Sequence, residues 1–185
     1  MKPNPLTEVP SLKPSEQEGF TLMELSVSIV VIALLCTMLI PLFASLQQKA
    51  DYGNCTGNLR TLYASASSYI IDKGHWPQIG TTKIQTPAFA DAWIHSLEPY
   101  GATRKAWICP AIQRVTKKPD YNKPDKHRID YLATPFDSHE YTPYRWRSQP
   151  WFVEKANVHG SGNLLIFSDS TICDLRGIPQ RVQTN

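Results

Sequence analysis

Between Glu24 and Lys49 the chain runs for 24 residues, Leu25 to Gln48, without a charge. As a helix rising about 1.5 Å per residue, that stretch is about 36 Å long, enough to cross a hydrocarbon core of about 30 Å. A chain with such a segment near its start is predicted to be anchored in a membrane. The 185 residues leave room for one soluble domain beside the anchor. All five tryptophans lie beyond the stretch, at 76, 93, 107, 146 and 151, so the remainder has aromatic material for a core of its own.

Charge is unevenly placed. Residues 1–19 carry Lys2 and Lys13 against Glu8, Glu16 and Glu18, whereas residues 49–185 carry 17 basic and 12 acidic side chains. An excess of five over that length is no nucleic-acid footprint, and it sets no orientation across a membrane.

Residues 1–19 hold four prolines and no apolar periodicity, and read as a disordered leader. Beyond the uncharged run, Leu59, Leu62, Tyr63, Ala66, Tyr69 and Ile70 recur at spacings of three and four, one face of an amphipathic helix. Gly53 and Gly57 weaken its middle, and Asp72-Lys73-Gly74 before Pro77 ends it. One helix of roughly 50 residues is therefore predicted from the membrane into the head. A second helix is expected from about Pro87 to Tyr100, with Phe89, Ala92, Trp93 and Leu97 on one face. Residues 115–128 read as an exposed loop, and Asn163–Phe167 as a strand turning through Ser168-Asp169-Ser170 into Thr171–Leu175. The fold class predicted is α+β, a long N-terminal helix against a small antiparallel sheet.

At the mouth of the apolar run stands Gly19-Phe20-Thr21-Leu22-Met23-Glu24-Leu25. It resembles the cleavage and methylation motif of type IV prepilins and type II secretion pseudopilins. The resemblance implies a cut by prepilin peptidase between Gly19 and Phe20, N-methylation of Phe20, and an assembly role for Glu24, whose carboxylate would meet the terminal amine of a neighbouring subunit. A carboxylate near the start of a membrane helix is costly unless a cation meets it, and cleavage makes one. Gln17 and Glu18 stand where the family usually has a basic residue before the glycine. Pro41 fits the family's proline in the membrane helix, where it would kink or locally melt the helix. A secretory signal peptide has a shorter apolar core behind a basic start, and a lipoprotein needs a small residue before its cysteine, whereas Leu34-Leu35 precede Cys36.

Gly74-His75-Trp76-Pro77 resembles the Gly-x-aromatic-Pro that closes the long helix of major pseudopilins. Near the C-terminus, HGSGNLLIFSDS resembles the H-x9-DG signature of a prepilin-like group, with His159 and Asp169 in place and Ser170 where that group has glycine. Cys109-Pro110 after Trp107-Ile108 also resembles that group. The middle, roughly 78–150, resembles nothing recognisable. For His159 and Asp169, a hairpin turn fixed by a charge-assisted hydrogen bond is the expectation. Calcium at Asp169 and Asp174 is the sharper option, although two carboxylates are few for an ion that takes six to eight oxygens.

Cys36 lies in the apolar run, as a small apolar residue. Of Cys55, Cys109 and Cys173, facing an oxidising periplasm, one pair could form a disulfide. Spacing does not choose the pair, and Cys55–Cys109, tying helix to head, is preferred. No C-x-x-C spacing favours zinc, and no metal or other cofactor is expected besides the calcium option. Gly160-Ser161-Gly162 beside His159 is not a nucleophile elbow, and no phosphate-binding glycine loop exists, so the chain is not expected to be an enzyme.

The organisation expected is a leader at 1–19, a transmembrane and filament-core half-helix at 20–48, and a periplasmic globular head at 49–185. The function expected is that of a structural subunit of a type II secretion-like pseudopilus, single-pass in the inner membrane before assembly. The resemblance implies as partners prepilin peptidase, further pseudopilins, and an inner-membrane assembly platform with its ATPase. The alternative is a minor pilin of a type IV pilus, for adhesion or DNA uptake. Lys117, Lys118, Lys123, Lys126 and Arg128, with Tyr121 and Tyr131 near them, would then grip phosphates and stack bases. Asp120, Asp125 and Asp130 are interleaved with them, and a solvated loop without nucleic acid is the expectation.

Overall fold

The structure, a computed structural model, describes residues 19–84, 86–117, 126–160 and 162–177. Most of the leader and residues 118–125 of the basic loop lie outside them. The chain divides into two compact units, Met1–Phe43 and Ala44–Asn185.

A helix, α1, spans Leu22–Lys73, 52 residues, as the apolar run and the amphipathic face behind it predict. Its first half exposes every described side chain, with Phe20 at 85% and Leu22 at 87% exposure flanking the helix start. In the second unit α1 changes character. Cys55, Leu59, Leu62, Ala66 and Ile70, at spacings of three and four, are all buried. They share a core with Trp76, Trp93, Trp107, Trp151 and Phe152. Leu59, Leu62 and Ile70 each contribute about 1.5–3 kcal/mol by this burial. Gly53 and Gly57 are carried inside the helix, because this packing outweighs their poor propensity.

After a 3-10 turn at Thr81–Lys83, α2 runs Pro87–Leu97. Thr86 caps it by accepting the Phe89 N–H at 3.3 Å, and Pro87 takes the first position, where no N–H is required. The face turned inward is Phe89, Ala90, Trp93, Ile94 and Leu97. Residues Glu98–Tyr100, expected as the end of this helix, form a 3-10 turn closed by Gly101 at φ +104°. A further 3-10 turn, Arg104–Trp107, precedes α3, Pro110–Thr116. Val115 and Thr116 thus belong to a helix and not to a loop. His127, at the far end of the expected exposed loop, is buried, with its Nδ1 2.8 Å from the Asp91 carboxylate of α2.

Four strands follow as an antiparallel meander in the order β1 (Tyr131–Ala133), β2 (Pro150–Glu154), β3 (Leu164–Phe167) and β4 (Ile172–Asp174). A one-turn helix, α4 (Thr142–Arg145), lies between β1 and β2. Register pairs Tyr131 with Glu154, Val153 with Leu165, and Leu165 with Cys173. All four residues of β3 are buried, the mark of a strand covered on both faces. Tyr63 of α1 lies over Trp151 at 4.9 Å and donates its hydroxyl to the Ser168 carbonyl at 2.9 Å, docking helix to sheet. Four tryptophans enter the core, but Trp146 stays 52% exposed under the Arg145 guanidinium. This is an α+β fold with a long N-terminal helix and a four-stranded antiparallel sheet.

Candidate functional site

The sequence motif at 19–25 forms the N-terminus of α1. Thr21 and Glu24 close a reciprocal pair: the Glu24 N–H donates to Thr21 Oγ1 at 3.2 Å, and the Thr21 N–H donates to Glu24 Oε2 at 3.0 Å. The Thr21 hydroxyl adds a bond to the same carboxylate oxygen at 3.0 Å. This is a capping box, which satisfies two of the four amide donors that every helix start leaves without partners. It also places a negative charge at the positive end of the helix dipole. The sequence signal for this cap is Thr-x-x-Glu at positions 21–24, so one carboxylate serves both the cap and the motif.

Polar side chains deeper in the apolar half are satisfied within the helix. Ser26 donates to the Met23 carbonyl, Ser28 to the Glu24 carbonyl and Thr37 to the Leu34 carbonyl, at 2.7–2.8 Å. Such back-bonding is what a hydrocarbon environment requires of hydroxyls. The helix is long and apolar enough to cross a membrane. Pro41 lies within α1. Cys36 is exposed on the same stretch.

In the head the structure brings Cys55, Cys109 and His159 together and adds a residue not singled out in the sequence, Glu154. One donor atom from each of the four lies within 4.8 Å of the other three. Cys55 comes from α1, Cys109 is the residue before α3, Glu154 ends β2, and His159 lies in the loop after it. Cys55 and Cys109 are free thiols. His159 Nε2 is 4.0 Å from Cys109 Sγ and 3.3 Å from Glu154 Oε1. The second oxygen of Glu154 accepts the Leu164 N–H at 3.4 Å, and Tyr52 meets the imidazole edge-on at 5.6 Å. Hydrogen bonding to the Cys55 sulfur, burial and the Glu154 carboxylate hold the Cys109 thiol far above the ordinary thiol range. Cys109 is positioned by Asp130, whose carboxylate accepts its N–H at 2.9 Å and faces Arg128 at 3.3 Å. Burial pushes the Asp130 carboxyl upward, and Arg128 with that N–H pulls it back.

Of the other residues singled out in the sequence, Asp130 and Arg128 adjoin this cluster through the Cys109 N–H. Asp169 lies in the β3–β4 turn and accepts the Thr171 N–H at 2.9 Å. Asp174 accepts the N–H groups of Arg176 and Gly177, both at 3.0 Å. Cys173 lies on β4. Lys118, Lys123, Tyr121, Asp120 and Asp125 fall outside the described residues.

Residues 14–40 match the family model described as the prokaryotic N-terminal methylation motif. The chain is also similar to the type II secretion system core protein G of Escherichia coli (strain K12), 32% identical over 62 residues. That match covers 34% of this chain and 43% of the relative, so the chain spans less than half the length of the protein it matches. No solved structure matches the chain significantly. The motif, the apolar helix behind it and the similarity to a secretion core protein support a place for this chain in the prepilin and pseudopilin family.

Proposed function

We propose that the chain is a structural subunit of a type II secretion-like pseudopilus. It is cleaved between Gly19 and Phe20, methylated on the new Phe20 amine, and drawn from the membrane into a filament with its head in the periplasm. The observation that carries the reading is the exposed first half of α1 behind Gly19-Phe20, without a charge from Leu25 to Gln48. Side chains of this kind, bare along so many turns, need lipid or the helices of other subunits around them.

The capping box gives Glu24 two successive partners. Before cleavage its carboxylate is bound by the Thr21 amide and hydroxyl, which lessens the penalty of a charge entering the bilayer, about 2.5–3.5 kcal/mol at a helix centre and less near an end. After cleavage, the Phe20 ammonium of a neighbouring subunit competes for that carboxylate, and the pair sets axial register. Filament and membrane differ in which cation or donor Glu24 holds.

Two measurements test this. Mass spectrometry of the protein isolated from its own host is expected to find a chain starting at N-methylated Phe20. The Glu24→Ala variant is expected to be cleaved normally but to leave no sheared filament, with loss of exoprotein export. Normal filaments built by Glu24→Ala would remove the pairing role, and an intact leader on the native protein would remove the proposal itself.

A further inference from the structure

We propose that the head holds a structural zinc ion between Cys55 Sγ, Cys109 Sγ, Glu154 carboxylate and His159 Nε2. The site is independent of the filament role, because all four ligands belong to the second unit. Two thiolates, an imidazole and a carboxylate are the donor types zinc takes, and four protein ligands close the tetrahedron, as structural rather than catalytic sites do. Zinc bonds of about 2.0–2.3 Å give tetrahedral edges of about 3.3–3.8 Å. The His159–Glu154 separation of 3.3 Å already has that value, and the His159–Cys109 separation of 4.0 Å is slightly wider. All donor atoms lie within 4.8 Å of one another, so small side-chain rotations bring the set onto one ion.

Burial makes the same point from charge. Glu154 is 0% exposed, and its ion-pair partner among the described residues is His159, itself nearly sealed. A carboxylate removed from water needs a cation or full hydrogen bonding. Zinc supplies the cation while taking both sulfurs. A Cys55–Cys109 disulfide would use up the thiols and leave the buried Glu154 with the His159 imidazole and the Leu164 N–H, without a metal cation. The absence of C-x-x-C spacing is no obstacle, because the fold draws the ligands from α1, the α3 start, β2 and the loop beyond it. Outer contacts are also in place: Leu164 N–H on the free Glu154 oxygen, Asp130 on the Cys109 amide, and Tyr52 against the imidazole.

The test uses the full chain in detergent, purified under reducing, oxygen-free conditions, and measures metal by elemental mass spectrometry. One zinc per chain is expected. After chelation, titration with cobalt(II) is expected to give thiolate-to-cobalt charge-transfer absorption and the intense visible bands of a tetrahedral ion, displaced by zinc. Cys109→Ser is expected to abolish the charge-transfer signal of its own sulfur and the tight zinc. Glu154→Gln is expected to weaken zinc by more than the about 10–100-fold that loss of an outer partner costs. Because Cys109→Ser could fail to fold, the wild-type cobalt spectrum stands alone as a readout. A metal-free native chain would overturn the proposal. So would cobalt bound without sulfur charge transfer, or a Cys55–Cys109 disulfide in protein alkylated directly from its host.

Discussion

Ser170 sits in the β3–β4 turn at φ +64°, in the left-handed region, where a Cβ crowds the following carbonyl. Its N–H closes the turn on the Phe167 carbonyl at 3.0 Å, so the conformation is fixed by the hairpin and not by the residue. This is the position where the H-x9-DG signature has glycine, and the backbone gives the reason. Replacing Ser170 by Gly is expected to stabilise the head by up to about 1 kcal/mol, the relieved strain exceeding the added chain entropy. Gly162 makes the opposite case. At φ +114°, a Cβ there would stand 3.0 Å from Leu175 Cβ and 3.2 Å from Leu175 N. Gly162→Ala is therefore expected to cost about 1–3 kcal/mol. Thermal unfolding of the two variants beside the parent checks both, and a Ser170→Gly variant no more stable than the parent would contradict the turn as described.

At the scale of elements, α1 carries two environments on one helix. Leu62 is fully buried, whereas its neighbour Arg60 is exposed. Leu62→Ala is expected to destabilise the head by about 2–5 kcal/mol, while Arg60→Ala stays within about 0.5 kcal/mol, read from denaturant midpoints. That contrast also shows what was legible in advance. The helix could be read because its periodicity runs for several turns, and β3 because Leu-Leu-Ile-Phe has no polar interruption. The strands β1 and β2, three and five residues long, could not. Prolines at 135, 143 and 150 break the texture around them, and Pro150 itself starts β2, where the missing N–H is tolerated. Glu154 escaped for a related reason. A carboxylate at a strand end reads as solvent-facing, and only the pairing of β2 with its neighbours buries it. Cys55, Cys109 and His159 were each visible as single residues, and their meeting depends on packing between elements far apart in the chain.

For the whole molecule, the decisive asymmetry is where the buried side chains lie. The core begins at Cys55 and draws on nothing before it, while residues 20–40 expose theirs throughout. The second unit, Ala44–Asn185, is large enough to bury roughly two thirds of its unfolded surface, and it keeps the net charge of the head, 17 basic against 12 acidic side chains, which favours solubility. A chain starting at Ala44 is accordingly expected to be soluble without detergent, to run as a monomer on gel filtration, and to unfold in one cooperative transition. The intact chain is expected to fractionate with membranes. Removing the first half of α1 takes away the apolar surface that makes the protein insert and polymerise, yet removes no core residue, so anchoring and folding separate at this point. An Ala44-start chain that aggregated or lacked a cooperative transition would show that the apolar segment is needed for the head to fold. The membrane would then be part of the folding environment, and not only the store from which subunits are drawn.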